Sequence, residues 1–203
     1  MIAIIDYGMG NLRSVANAFE ALGRNVMIST RAETLREAER VVLPGVGAFG
    51  DGIRNLRDGG WVDVLEEEVL GNQKPFIGIC LGMQLLATTS FEHGRHGGLN
   101  WISGTVQRFS DDDVRVPLIG WCDVNVCKEF GLLEGLGEHP AFYFVHSYHL
   151  VPDSSDVITS TCAYGIEFVA TVQKENVFGT QFHPEKSHKA GLALLKNFVN
   201  YRA

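Results

Sequence analysis

Hydrophobic positions fall into two rhythms along the chain. In the first two-thirds, short unbroken apolar runs alternate with stretches where apolar residues recur every three or four positions. Unbroken β-branched runs suit strands buried on both faces, and three-to-four spacing suits helices that bury one stripe. Residues 2–6, 25–29, 40–43 and 75–79 are therefore expected strands. Residues 11–22 read as a helix with Leu12, Val15, Ala16, Phe19 and Leu22 facing the core, ended by Gly23. Further helical stretches are expected near 32–38, 52–56 and 62–70. Each strand after the first follows a helix, so right-handed crossovers onto a doubly wound parallel sheet are the economical topology.

From about Thr105 short alternating runs take over, at 105–109, 120–126, 141–149, 156–161, 166–173 and 177–182. Turn-rich tetrads and triplets such as Pro152-Asp153-Ser154-Ser155, Ala163-Tyr164-Gly165 and Lys174-Glu175-Asn176 separate them, which predicts mostly antiparallel pairing. A last helix over 189–201 carries Leu192, Leu195, Phe198 and Val199 on one face. No linker, repeat or low-complexity tract interrupts the pattern. The expectation is one α/β domain over residues 1–203, built on a mixed sheet.

Composition narrows the class. Hydrophobic residues make up 45% and charged residues 20% of 203, ordinary for a globular enzyme able to bury a continuous core. The net charge of -7 and dispersed lysines and arginines leave no basic footprint for nucleic acid. No apolar run reaches the roughly 20 residues that span a bilayer, and the chain opens directly on a strand, so a cytoplasmic location is expected. The four cysteines, at 80, 122, 127 and 162, form no Cys-x-x-Cys pair and fit neither a disulfide framework nor a zinc site. Three read as packing residues.

Cys80 differs by its context. Residues 75–79 read as a buried strand and residues 81–86 begin a helix, so Gly78-Ile79-Cys80-Leu81-Gly82 marks a strand-to-helix corner with small residues two positions either side. Such an elbow exposes its central side chain as a nucleophile. A helix N-terminus there favours a thiolate, and the Leu81 N–H is placed to donate to an oxyanion. The bland alternative is an inert cysteine at a strand end.

A thiol nucleophile needs a base, and His183-Pro184-Glu185 follows the strand that ends at Phe182. Proline at 184 disfavours helix at His183, and in an extended segment residues two apart share a side, so Glu185 can orient the His183 ring toward Cys80. His93, His96, His139 and His188 lie in polar, loop-like sequence without such an orienter. A second glycine corner, Leu43-Pro44-Gly45-Val46-Gly47-Ala48-Phe49-Gly50, reads equally as a structural loop or as an oxyanion loop. Gly8-Met9-Gly10 fails as a dinucleotide site, because Arg13 stands at the third glycine position.

Taken together, Gly78 to Gln84 and Gly179-Thr180-Gln181-Phe182-His183-Pro184-Glu185-Lys186-Ser187 resemble the two signature segments of triad-type, class I glutamine amidotransferases. The segments Ile5-Asp6-Tyr7-Gly8-Met9-Gly10-Asn11-Leu12, Pro44 to Phe49 and Tyr143-Phe144-Val145-His146-Ser147-Tyr148 are similar to those of the glutaminase subunits of imidazole glycerol phosphate synthases. The resemblance implies a flavodoxin-like α/β fold: a mixed, mostly parallel central sheet flanked by helices, with an antiparallel C-terminal portion. It implies Cys80 as nucleophile, His183 as acid and base, and Glu185 as its orienter. Val46 and Leu81 would supply oxyanion amides; Gly47, Gln84, Ser147 and Tyr148 would hold glutamine. Tyr143 and Lys186 would lie toward a TIM-barrel cyclase subunit that forms a heterodimer with this chain and receives the ammonia for histidine biosynthesis. Neither metal nor organic cofactor is implied. Leu118-Ile119-Gly120-Trp121-Cys122 stands where many members have His-Met-Gly-Trp-Asn, and Asn100 where glycine is common. A paralogous glutaminase subunit that feeds a sugar-nucleotide amidating barrel is the alternative these departures leave open.

Overall fold

The computed structural model describes residues 1–110, 112 and 114–202. The apolar run Ile2–Ile5 forms β1, buried at every position. It leads through helix α1 (Leu12–Ala21) to β2 (Val26–Ser29). Asn11 caps α1, its Oδ1 accepting the Ser14 N–H at 3.3 Å. A 3-10 turn over Ala32–Glu37, with Ala32 and Leu35 buried one turn apart, leads to β3 (Arg40–Gly45). Helices α2 (Phe49–Asp58) and α3 (Trp61–Leu65), the latter running into a π-helical turn over Glu66–Gly71, cross to β4 (Phe76–Cys80).

Helix α4 (Leu81–Gln84) follows at once, then strands β5 (Ala87–Ser90), β6 (His96–Gly97), β7 (Ile102–Arg108) and β8 (Leu118–Val126). The chain continues through β9 (Ala141–His146), β10 (Tyr148–Pro152), β11 (Ile158–Tyr164), β12 (Ile166–Lys174) and β13 (Val177–Thr180) to α5 (His188–Asn200). Among the described residues these strands build a nine-stranded sheet, ordered β2-β1-β3-β4-β13-β12-β11-β8-β9, and a four-stranded sheet, β10-β7-β5-β6. The first five strands of the larger sheet run parallel. From β12 outward every pair is antiparallel.

Strand alternation sorts the apolar side chains to two faces. Ala3, Ile5, Leu43 and Phe76 join one core layer with Ile53, Leu56, Trp61 and Leu65 of α2 and α3. Ile2, Ile4, Val42 and Phe178 join the other with Val15 and Phe19 of α1 and Leu194 and Phe198 of α5. Each fully buried side chain of this size contributes about 1.5–3 kcal/mol.

Two expectations change. The helix expected over 81–86 ends at Gln84, because the carbonyls of Leu85 and Leu86 accept from the N–H groups of Leu99, Trp101 and Ile102 instead of continuing a helical ladder. The strand expected over 141–149 is two: β9 pairs with β8 in the large sheet and β10 with β7 in the small one, so the chain changes sheets at Ser147. Parallel order brings the C-terminal ends of β1, β3, β4 and β13 to one edge, the place where open α/β sheets bind ligands. Tyr7, Pro44 to Gly47, Cys80 and His183 all lie there.

Candidate active site

Cys80 ends β4 with φ +55° and ψ -107°, a backbone conformation that costs a non-glycine residue about 1–3 kcal/mol. The surroundings enforce it. A Cβ at Gly78 would overlap the Gly82 carbonyl, and one at Gly82 would overlap the carbonyl of Leu43. Both glycines that flank the elbow are therefore steric requirements of the turn. Because α4 has a single turn, what it offers an anion is its first free N–H groups rather than a summed dipole. The Cys80 sulfur is nearly enclosed, 4.0 Å from the Val145 carbonyl and 3.8 Å from the side-chain amide of Gln181, which donates toward it.

His183 follows β13 and is held from several sides. Its N–H donates to the Tyr143 carbonyl at 2.9 Å. Ser187 Oγ donates to the His183 carbonyl at 2.6 Å and accepts the Tyr143 N–H at 3.0 Å, strapping β9 to the base. Here the expected extended geometry gives way: Pro184–Lys186 is a 3-10 turn, because proline's fixed φ suits its first position. The turn still delivers Glu185, whose Oε1 accepts from His183 Nδ1 at 2.8 Å with both side chains almost wholly buried. That bond puts a proton on Nδ1 and leaves Nε2, buried and without another partner, for work. Burial alone would push the His183 pKa down; closeness to Cys80, the bond to Glu185 and the charges of both outweigh it and raise it to about 9.

A cavity of about 460 Å³ opens at Cys80, a volume suited to a small molecule. Val46, Gly47, Leu81, Gln84, Ser147 and Tyr148 line it with the cysteine. Val46 is 42% exposed at its mouth. The Gln84 side chain is committed within the protein, its Nε2 donating to the Tyr148 carbonyl at 2.8 Å and to Gln181 Oε1 at 3.2 Å. Tyr143 and Lys186 lie elsewhere: the Lys186 ammonium sits 5.9 Å over the Tyr143 ring, and Lys186 shares with Glu185 a separate groove behind the base. Cys80 thus lines one opening and Glu185 the other.

Glu92, His93 and Arg108 also line the cavity, and none of them stands out in the sequence. Glu92 Oε2 accepts the Phe49 N–H at 2.6 Å, at the start of α2. His93 sits in polar sequence, and Arg108 ends a strand of the small sheet. It is the packing of the small sheet against α2 and α4 that brings them to Cys80. His146 lines the wall as a neutral ring: burial pushes its pKa down to about 3 against the bond from Nδ1 to the Tyr148 carbonyl at 2.9 Å. Gln181 lies within the Gly179 to Ser187 signature, which was the available signal for it.

Among the described residues no helix is long and apolar enough to cross a membrane, and no group of three or more His, Cys, Asp or Glu could hold a metal ion.

A strand-to-helix elbow presenting cysteine, with a buried His–Glu pair beside it on a parallel sheet, defines a class of thiol-dependent hydrolases. The sequence model described as "Glutamine amidotransferase class-I" matches residues 3–201. The chain belongs to the class I glutamine amidotransferase family. It is 48% identical over 200 residues to imidazole glycerol phosphate synthase subunit HisH 2 of Pseudomonas aeruginosa, covering 98% of both chains. It is 47% identical over 203 residues to subunit HisH of Geobacter sulfurreducens, covering 97% of each. In fold it is similar to PurLQS from Thermotoga maritima, with a TM-score of 0.80, 19% identity, and coverage of 98% of this chain and 97% of that one.

Proposed function

We propose that this chain is the glutaminase subunit of an imidazole glycerol phosphate synthase, acting as one domain over residues 1–203 and hydrolysing glutamine to glutamate and ammonia. The observation that carries the reading is the buried His183–Glu185 pair beside a cysteine held at positive φ, in a chain nearly half identical to HisH subunits.

The Cys80 thiolate attacks the carboxamide carbon of glutamine, and the carbonyl π electrons move to oxygen, where the N–H groups of Val46 and Leu81 receive the charge. His183, protonated at Nε2, gives its proton to the amide nitrogen as the C–N bond breaks, and ammonia leaves. A water that surrenders its proton to His183 then attacks the γ-glutamyl thioester, releasing glutamate and restoring the thiolate. Glu185 keeps the ring in register and favours its charged form. Glutamine's ammonium and carboxylate need one partner of each sign: Glu92 and Arg108 bring these to a cavity that Gly47, Gln84, Ser147 and Tyr148 also line. The chemistry calls for no cofactor.

The ammonia is passed to a TIM-barrel cyclase subunit in a heterodimer in the cytoplasm. Support for a docking face comes from Ile119 and Trp121, exposed by 61% and 48% on one strand, with Trp121 paired to Tyr143, over whose ring Lys186 sits. Trp121 stacks on His188 at 5.1 Å and meets Tyr143 edge-on at 6.1 Å, a preformed aromatic patch on the groove side of the base.

Glutamate release by the full chain, alone and with a cyclase subunit and its nucleotide ligand, tests the reading. Cys80→Ala is expected to reduce it more than about 10⁴-fold while the fold is kept. Hydrolysis that survives the substitution would sink the mechanism. Activation by a sugar-amidating barrel in place of the cyclase would move the chain to that other branch.

A further inference from the structure

Tyr7 has no role in the mechanism above, yet it lies among the C-terminal strand ends that build the site. Its side chain is buried, the residue 5% exposed, and its hydroxyl makes no hydrogen bond. A buried O–H left unpaired is costly, and such groups are few in native proteins. The hydroxyl is not loosely placed. The Tyr7 carbonyl accepts from Asn55 Nδ2 at 3.0 Å, and the Gly8 N–H donates to Asp6 Oδ1 at 3.1 Å, fixing the backbone on both sides of the ring.

What the hydroxyl faces is the oxyanion corner. A Cβ at Gly45 would overlap Tyr7 Oη and come within 2.9 Å of Leu81 Cβ, so the phenol rests against the bare Gly45 backbone, beside Leu81 and next in the chain to Val46. Gly45 in turn pairs in register with Cys80.

We propose that Tyr7 is a positioning residue for this corner: its O–H is the donor for the Gly45 carbonyl in the arrangement that turns the Val46 N–H toward Cys80. The inference rests on the glutaminase reading and deepens it. In a trans peptide the C=O and N–H point opposite ways. A Gly45 carbonyl drawn inward to Tyr7 therefore sends the Val46 N–H outward into the cavity that Val46 and Cys80 line. In the present arrangement the donor is idle; in the other it is matched, and the corner gains an amide. Glycine at 45 and at 47, the latter at φ +111°, lets the intervening peptide turn without a side-chain clash. Burial first, and the charge of Cys80 second, raise the phenol's pKa, so it stays a donor wherever the enzyme works.

Tyr7→Phe removes the O–H and keeps the ring. With the assembled enzyme, kcat for glutamate release is expected to fall roughly tenfold or more, part of the roughly 100- to 1000-fold that losing an oxyanion donor costs, while KM stays within about twofold. The unfolding midpoint is expected to hold or rise, because an unmatched donor is gone. Alkylation of Cys80 by iodoacetamide, which needs no oxyanion site, is expected to proceed at the wild-type rate. A kcat within about twofold of wild type would overturn the proposal. So would a loss of kcat matched by slower alkylation, which would assign Tyr7 to the thiolate, or by a lower midpoint, which would make it a packing residue. Absence of glutamate release from the wild type with every barrel tried would overturn the glutaminase reading itself, and this proposal with it.

Discussion

Cys80 and the His183–Glu185 pair on one side of the cavity, and the exposed Val46–Gly47 tip beyond β3 on the other, are built differently. Cys80 is held by glycines that admit no Cβ, and His183 has both backbone groups and Nδ1 engaged. Across the cavity, Val46 stands 42% exposed between two glycines, above a phenol with no partner. The contrast teaches a division of labour. The side chains around Cys80 and His183 are preorganised by close packing and hydrogen bonds, whereas the proposed oxyanion donor at Val46 sits at an exposed tip; in the proposed function, that leaves it the part free to respond to a partner.

The largest test of the rigid side is Glu185→Gln. An uncharged amide no longer favours the imidazolium, and kcat is expected to fall by roughly 10³- to 10⁴-fold. The same variant carries a signature in stability. The folded His183 pKa, about 9, lies above its ordinary 6.5, so the stability from its charged form is full below about 6.5 and is lost as pH rises through 9. Melting temperatures measured from pH 6.5 to 9.5 should therefore decline more steeply for wild type than for Glu185→Gln; parallel declines would show that Glu185 does not hold the charge.

Val46→Pro probes the adjustable side by deleting one N–H. The expected loss is roughly 100- to 1000-fold in kcat, with Cys80 alkylation untouched and little change in unfolding midpoint, since the exposed Val46 is not part of the core. A midpoint that drops sharply would mean the corner is as rigid as the elbow, erasing the comparison. The smallest effect belongs to the strap. Ser187→Ala leaves the Tyr143 N–H and the His183 carbonyl without the hydroxyl that joins them, and should cost about 1–3 kcal/mol in urea unfolding and only a few-fold in kcat. A far larger kcat loss at unchanged stability would show that the strap acts on the chemistry.

Much of this was readable in advance where local rules dominate. Unbroken Ile and Val runs marked β1 and β3, the amphipathic stripe marked α1, and the glycines about Cys80 marked the elbow. Local rules misled where a distant segment competed for the backbone. Leu81 to Leu86 has the composition of a longer helix, but Leu99 to Ile102 captures the last carbonyls. Residues 141 to 149 look like one strand, yet the two ends meet different partners, β8 and β7. Glu92 and Arg108 carried no local mark at all, because a charged side chain in a polar stretch reads as solvated surface until folding supplies a cavity beside it.

By itself the sequence determined the local groupings: a cysteine at a glycine-flanked turn, and a histidine followed two residues on by the carboxylate that it meets. Their chemistry is intrinsic to residue type and near-neighbour spacing. Only the tertiary structure decided that His183 and Cys80 lie on adjacent strand ends, that Ser187 ties the base to β9, and that Tyr7 lies idle beneath Gly45. Those relations join residues scores of positions apart, and such contacts are set by sheet order and core packing, which no short stretch of chain encodes.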